Sequence, residues 1–228
     1  VFFITICAAA KAAEWRIKMK ITAIVPAYNE ARNISGVLFP LQEAKQNGVV
    51  DNILVVCDGC NDNTAEIAKG YGAQVQELNP NRGKGGAMLA GVKATDADII
   101  VFIDADLIGL TTKHITDLIT PVKNGTAEMT MGIFGGGRKR TDAAQHLAPF
   151  LTGQRAIARK HFLEIPDVDN ARYGVEVAIS KYAHKKRWRV QKVTWLNMSQ
   201  VMKEEKMGLA QGFKVRMRMY WEIIKASI

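Results

Sequence analysis

The sequence predicts an α/β fold: one domain built on an open, mostly parallel Rossmann-like sheet with helices on both faces. Two observations lead there. Residues 21–26, 53–57 and 99–103 are unbroken, β-branched apolar runs, the pattern of strands buried on both faces. Between them, residues 31–47, 64–72 and 86–94 carry helix-like spacing, so strand and helix alternate as in consecutive βαβ units. The length of 228 residues and a hydrophobic content of 48% are enough for one packed core.

Gly70 and Gly72 close the second helix, and residues 74–78 form a further short strand. The second half is less regular. A glycine cluster (Gly135, Gly136, Gly137) and a turn led by Pro149 precede helices expected over 153–162 and 174–186. A last strand at 189–195 leads to a basic tail. No internal repeat or low-complexity linker divides the chain. Met19 and Lys20 immediately precede the first strand, so residues 1–18 read as an N-terminal extension, 19–208 as the domain and 209–228 as a C-terminal helix.

The chain carries 31 Lys and Arg against 22 Asp and Glu, a formal charge of +9. Nucleic acid, an anionic membrane surface and small phosphorylated ligands are the partners that such a charge allows. The longest apolar runs reach about ten residues, roughly half of a bilayer crossing. Three cysteines, Cys7, Cys57 and Cys60, do not make a secreted disulfide framework. The apolar opening lacks a preceding cationic region, and the expected location is cytoplasmic.

In an open α/β sheet, ligands gather beyond the carboxyl ends of the strands. After the first strand stand Pro26, Ala27, Tyr28, Asn29 and Glu30, either an ordinary capped turn or a polar ligand edge. After the second come Cys57, Asp58, Gly59 and Cys60, then Asp62, Asn63 and Thr64. This C-x-x-C could be a redox pair or half of a zinc site, but it has no second cysteine pair and no histidine spacing completes the zinc site, so a turn that presents Asp58 to a ligand is the better reading. Asn81, Arg82, Gly83, Lys84, Gly85 and Gly86 join flexible backbone to two cations ahead of a helix expected from Ala87. Such a segment suits an anion, and it lacks the spacing of a P-loop. The third apolar strand ends in Asp104, Ala105 and Asp106. Period-two geometry can aim both carboxylates to one side, where a hard divalent cation would neutralise them. Asp96 and Asp98 lie at the opposite strand end and read as solvated turn residues.

Together, V-P-A-Y-N-E, D-G-x-x-D-x-T, N-x-G-K-G-x-A and D-A-D resemble the motifs of family-2 nucleotide-sugar glycosyltransferases with the GT-A fold, over about residues 19–208. Leu151 to Arg155 and then Tyr173 to Glu176 are similar to the acceptor half of the glucosyl-3-phosphoglycerate synthase and polyprenyl-phosphate sugar transferase branches. The resemblance implies that Pro26, Tyr28, Glu30 and Asp58 hold the base and ribose of a UDP- or GDP-sugar, and that Lys84 meets its phosphates. It implies Mg²⁺ or Mn²⁺ on Asp104 and Asp106, and Thr152, Gly153, Gln154 and Arg155 around the sugar and acceptor. Glu176 would stand near the reacting centre as the base for an alcohol acceptor, the alternative being a helix residue that orients Arg155 or Arg172. Two positions depart from the family pattern: Cys57 replaces the usual acidic residue before Asp58, and Gln200 stands where relatives often have a metal-binding histidine. Asp106 and Glu176 are thus the expected catalytic residues, and Asp104, Asp106 and Gln200 the expected metal ligands.

In the tail, Phe213, Met217, Tyr220 and Ile224 share one helical face and Lys214, Arg218 and Lys225 another. That face suits the domain itself, a second subunit of a homodimer, or peripheral contact with the inner membrane surface. No nucleic-acid-binding motif is present. The expected acceptor is a small phosphorylated molecule or a lipid phosphate, and a non-catalytic nucleotide-sugar binder is the reading from another class.

Overall fold

The structure, a computed structural model, describes residues 19–135, 152–171 and 174–200, with Gln200 described by its backbone alone. The strands are β1 (Ile21–Ala27), β2 (Asn52–Asp58), β3 (Gln74–Leu78), β4 (Ile99–Phe102), β5 (Leu107–Ile108), β6 (Met129–Gly135), β7 (Arg155–Ala158), β8 (Val190–Leu196) and β9 (Ser199–Gln200). The helices are α1 (Ser35–Gln46), α2 (Thr64–Gly70), α3 (Gly83–Lys93), α4 (Thr112–Lys123), α5 (Arg159–Leu163) and α6 (Val175–Lys185), with a 3₁₀ turn at Val168–Asn170. Seven strands form one sheet in the order β3-β2-β1-β4-β7-β6-β8. Every strand in it runs the same way except β7, which is antiparallel to both neighbours. β5 and β9 pair separately.

The apolar runs are buried on both faces because their alternate residues enter two cores. Ile21, Ala23 and Val25 of β1 join Ile53 and Val55 of β2 beneath Leu38 of α1 and Ile115 and Leu118 of α4. Ile24, Leu54 and Val56 point the other way, against Met88 and Val92 of α3, Phe162 of α5 and Ile179 of α6. Helices therefore cover both faces, as the βαβ alternation requires. The expected extension at 1–18 and basic helix at 209–228 lie outside the described residues. Among the described residues, no helix is long and apolar enough to cross a membrane.

Four local expectations need correction. The stretch expected as a helix over 153–162 is strand β7 followed by the short helix α5. Its slot lies between β4 and β6, which would leave two rows of backbone groups unpaired if β7 coiled. Ala156 enters one core and Ile157 the other, so the segment fills the sheet on both sides. Helix α3 starts at Gly83, not near Ala87, placing Lys84 in its first turn; Gly83 has φ +77°, a value that favours glycine. Helix α4 and strand β6 add to the elements expected from the sequence. The α4 residues Ile115, Leu118, Ile119 and Val122 are buried at helical spacing, and Thr111 caps the helix by accepting from the His114 N–H at 3.3 Å. Asp96 and Asp98 do more than meet solvent: Asp96 pairs with Lys20 at 2.6 Å, and Asp98 accepts the Lys20 backbone N–H at 2.8 Å.

The fit of α3 on the sheet depends on Gly91, where an added Cβ would stand 2.8 Å from Ile24 Cγ2 and 3.0 Å from Val56 Cγ2. Gly91→Val is expected to lower stability by about 1–3 kcal/mol, read from the urea midpoint. At the sheet edge, Glu128 accepts the Arg189 backbone N–H at 2.7 Å and pairs with its guanidinium, fixing the start of β6 on β8. Hydrogen bonding from Arg189 holds the Glu128 carboxyl down at about 2, from an ordinary 4.5. A depressed carboxyl adds stability above its unfolded pKa and loses it as pH falls through the folded one. The stability difference between wild type and Glu128→Gln is therefore expected to shrink between pH 4.5 and about 2, as measured by denaturation across that range.

Candidate active site

The carboxyl ends of β1, β2 and β4 open on one side of the sheet, and the chain order reverses between β1 and β4. That reversal is where open α/β sheets form a ligand crevice. At the exit of β1, Pro26 is still in the ladder opposite Val56, and Tyr28 is exposed. Asn29 takes φ 55°, and its side chain accepts the Asn61 N–H at 2.9 Å. Glu30 accepts from Asn33 Nδ2 at 2.8 Å, while its backbone N–H donates to Thr64 Oγ1 at 2.9 Å. Asp62 accepts the Ala31 N–H at 3.1 Å, so the turns after β1 and β2 are stitched into one surface. Asp58 is buried; its Oδ1 accepts the Arg82 N–H at 2.7 Å, and its carbonyl accepts from Asn81 Nδ2 at 2.6 Å. Asp58 thus ties the end of β2 to the start of α3.

Beyond β4, the same parity that sends Phe102 toward α3 sends Asp104 toward that helix's first turn. Lys84 Nζ lies 2.6 Å from Asp104 Oδ1 and 2.6 Å from Glu176 Oε1, in the first turn of α6. Burial alone would push the Lys84 ammonium down, but Asp104 and Glu176 outweigh it and hold the group above the ordinary lysine range. Gln154 Nε2 donates to the other Asp104 oxygen at 3.1 Å, and Gln154 Oε1 is buried without a hydrogen-bond partner. Gly153 passes directly under the pair: a Cβ there would stand 2.6 Å from Lys84 Nζ and 2.7 Å from Asp104 Oδ1. A side chain there would have to displace the tips of Lys84 and Asp104.

Arg155 forms the layer beneath. Its guanidinium is buried and donates from Nε to the Thr152 carbonyl at 3.0 Å, and from Nη2 to the Glu176 carbonyl at 3.1 Å and Ser180 Oγ at 3.0 Å. Burial pulls it down to about 10, opposed by Glu176 and Asp104, so it stays cationic at neutral pH. Thr152 is anchored in turn by donating from Oγ1 to the Gly132 carbonyl at 2.7 Å. Of the two roles open to Glu176, a link to Arg155 exists, and it runs from the arginine to the backbone of Glu176. Arg172 and Tyr173 lie outside the described residues.

The structure thus brings together Lys84, Asp104, Thr152, Gly153, Gln154, Arg155 and Glu176, with Asp106 two residues beyond Asp104 and half-buried. The backbone of Gln200 pairs with Leu107, next to Asp106, through β9. Sequence reasoning placed Asn81 in the anion-binding segment without its tie to Asp58, and missed Ser180. Ser180 sits one helical turn after Glu176, a spacing that could have flagged it, whereas nothing in the sequence marks the backbone carbonyls that Arg155 grips. Among the described residues, no group of three or more His, Cys, Asp or Glu encloses a metal unaided.

The "Glycosyl transferase family 2" profile matches residues 22–188. The chain belongs to this family. Glucosyl-3-phosphoglycerate synthase of Mycobacterium tuberculosis is 28% identical over 194 residues, covering 70% of this chain and 59% of the relative. The chain therefore spans about three-fifths of that relative's length. Dolichyl-phosphate β-glucosyltransferase of Drosophila melanogaster is 37% identical over 101 residues, 39% of this chain and 31% of that protein. Among solved structures, the M. tuberculosis synthase in complex with Mn²⁺, UDP-glucose and phosphoglyceric acid superposes with a TM-score of 0.72 at 25% identity, covering 96% of this chain and 80% of that one. Its complex with phosphoglyceric acid gives 0.70, also at 25%, covering 94% and 82%. The mixed seven-stranded sheet is accordingly the GT-A fold of family 2.

Gly153→Ala is expected to drive a methyl group into the Lys84–Asp104 pair and to cost about 1–3 kcal/mol of stability. Gly36→Ala is the control, since its Cβ would meet nothing closer than 3.8 Å. Urea denaturation of both variants checks the difference; equal stability would show that Gly153 is not pressed against the pair.

Proposed function

We propose that the chain transfers a sugar from a UDP-type nucleotide sugar to a small phosphorylated acceptor, with Mg²⁺ or Mn²⁺ as cofactor. The observation that carries this is the largely buried Lys84–Asp104–Glu176 cluster at the switch point of the sheet. The donor set fits a hard divalent ion: Asp104 and Asp106 supply carboxylate oxygens, and the unpartnered Gln154 Oε1 adds an amide oxygen beside them. With so few protein ligands, an ion of this kind keeps positions for waters and for substrate phosphates. When bound, it would neutralise negative charge on the leaving diphosphate.

The chain's own residues account for the rest. In the transfer, the bond from the anomeric carbon to the diphosphate oxygen breaks as the acceptor oxygen bonds to that carbon, and charge grows on the leaving phosphate. Lys84, fixed in the first turn of α3, presents a desolvated ammonium to that charge, where an attraction is stronger than in water. Asp58, Pro26, Tyr28 and Glu30 border the crevice on the β1–β2 side and suit base and ribose. Glu176 stands across Lys84 from Asp104 and takes the proton of an alcohol acceptor. Thr152, Gly153 and Gln154 floor the sugar pocket, and Arg155 serves by holding Thr152 and Glu176 in place. The complexes of the M. tuberculosis synthase with UDP-glucose, Mn²⁺ and phosphoglyceric acid support the choice of donor, ion and acceptor class.

A lipid-phosphate acceptor is the second reading, favoured by the Drosophila dolichyl-phosphate β-glucosyltransferase. With UDP-glucose and Mn²⁺, turnover is expected on 3-phosphoglycerate and not on polyprenyl phosphate in mixed micelles. The reverse preference selects the lipid acceptor. Asp104→Ala, Asp106→Ala and Lys84→Met should each lower kcat by about 10²- to 10³-fold. A wild-type chain that binds UDP-glucose without turnover on any acceptor would make it a nucleotide-sugar binder instead.

A further inference from the structure

The C-x-x-C at the end of β2 plays no part in the transfer just described, yet its geometry is specific. Cys57 is the penultimate residue of β2, 1% exposed and packed in the core beneath α1 and α2. Cys60 is half-buried, leaning on the same core. The residues between them fold back: the Gly59 N–H donates to the Cys57 carbonyl at 3.1 Å, and Gly59 takes φ +75°. This turn returns Cys60 to the core that holds Cys57, where Cys60 Sγ donates at 3.4 Å to the carbonyl of Ala27, the ladder partner of Cys57. Both cysteines are reduced.

We propose that Cys57 and Cys60 form a reversible disulfide that loosens the nucleotide side of the crevice. The turn fixes the pairing, because it returns Cys60 to the face of β2 that Cys57 occupies. Exposure fixes the order of events: Cys60 is the sulfur that an oxidant can reach, and Cys57 is the resolving one. Their acidities agree with that order. The hydrogen bond from Cys57, helped by the Asn29 N–H and the Thr64 hydroxyl against the effect of burial, brings the Cys60 thiol down to about 7. The same hydrogen bond and burial hold the Cys57 thiol well above the ordinary range. A thiol near ambient pH is the effective attacking species.

The oxidant is a low-molecular-weight disulfide such as oxidised glutathione. The Cys60 thiolate attacks one of its sulfurs, forming a mixed disulfide and releasing one thiolate. Cys57 then gives up its proton to that thiolate and attacks the Cys60 sulfur, releasing the second thiol. Two electrons pass from the protein dithiol to the small disulfide, which leaves as two thiols.

The consequence for the site follows from Asp58, which lies between the cysteines. Its carboxylate and carbonyl hold the Arg82 N–H and Asn81 Nδ2, and Gly59 packs so closely on Asn81 that an added Cβ would stand 3.1 Å from Asn81 Cβ. The turn is therefore the seat for the residues that start α3, two positions before Lys84. Oxidation removes the Cys60 hydrogen bond to Ala27 and pulls the turn toward the core, displacing that seat. The effect on donor binding rests on the function proposed above, whereas the disulfide does not.

The test equilibrates the full chain, carrying Cys7→Ser, in glutathione buffers of stepped potential and maps thiols by differential alkylation and mass spectrometry. Mn²⁺–UDP affinity is measured in parallel by calorimetry. A Cys57–Cys60 cross-link that reductant reverses is expected, with UDP bound about fivefold more weakly, the equivalent of one net hydrogen bond. Cys57→Ala should stop at the mixed disulfide on Cys60, and the wild-type mapping stands alone should that variant fail to fold. Absence of the cross-link in buffers that oxidise dithiothreitol, or a stable mixed disulfide on Cys60 when Cys57 is present, overturns the redox site. A cross-link with unchanged UDP affinity overturns the coupling. Failure of the reduced chain to bind UDP, with the cross-link intact, counts against the proposed function alone.

Discussion

The site depends on one half-buried ammonium. Lys84 stands 2.6 Å from a carboxylate oxygen on each side, one supplied by the exit of β4 and the other by the first turn of α6. Two carboxylates so close to a common point would repel each other in a poorly solvated site, and neither could remain ionised cheaply. The cation between them removes that repulsion and joins three elements far apart in sequence. Arg155 extends the arrangement inward. Lys84, Asp104, Glu176 and Arg155 together sum to zero, which is how a charged cluster can be largely buried without an orphaned ion.

The sheet explains why these residues meet. Parallel strands deliver their carboxyl ends to one side, and alternate residues beyond a strand keep its parity, so Asp104 follows Phe102 toward α3. The antiparallel β7 has a different effect. It enters the sheet from the site side, with Thr152, Gly153 and Gln154 arriving at the crevice just before its first ladder residue, Arg155, opposite Phe102. Turning this one strand places the floor of the pocket directly against the end of β4. Gly153 is the point of closest approach, which is why a glycine is needed there more than at a loop tip.

Much of this is legible in the sequence, for a physical reason. Strands buried on both faces must be apolar throughout, and β1, β2 and β4 announce themselves as β-branched runs that end in polar residues. Asp58, Lys84, Asp104 and Asp106 can be singled out because they follow such runs or precede a helix. β7 reads as a helix because Arg155, Ala156, Ile157 and Ala158 include good helix formers and no β-branched run; only the open slot between β4 and β6 makes them a strand. β6 is hidden by its methionines and glycines, and α4 by its threonines and by Pro121 inside it, which are poor helix signals. The role of Arg155 is out of reach for a different reason. It acts on the carbonyls of Thr152 and Glu176, and every residue has a carbonyl.

The excess of nine positive charges takes on a different meaning beside this cluster. The two cations at the heart of the site contribute nothing to it, since Lys84 and Arg155 are matched by Asp104 and Glu176. Arg155 is also buried under the pocket with its guanidinium bonded to protein oxygens, so an acceptor phosphate cannot be its partner. Arg189 is taken by Glu128, and Lys20 by Asp96. The net charge must therefore reside in exposed groups such as Lys185, Lys186 and Arg187, and in the cationic segments outside the described residues. Charges in exposed positions attract anions over distance but fix no geometry. Under the function proposed above, long-range attraction of anionic substrates and their short-range positioning fall to different residues: the surface cations gather, and the neutral cluster holds.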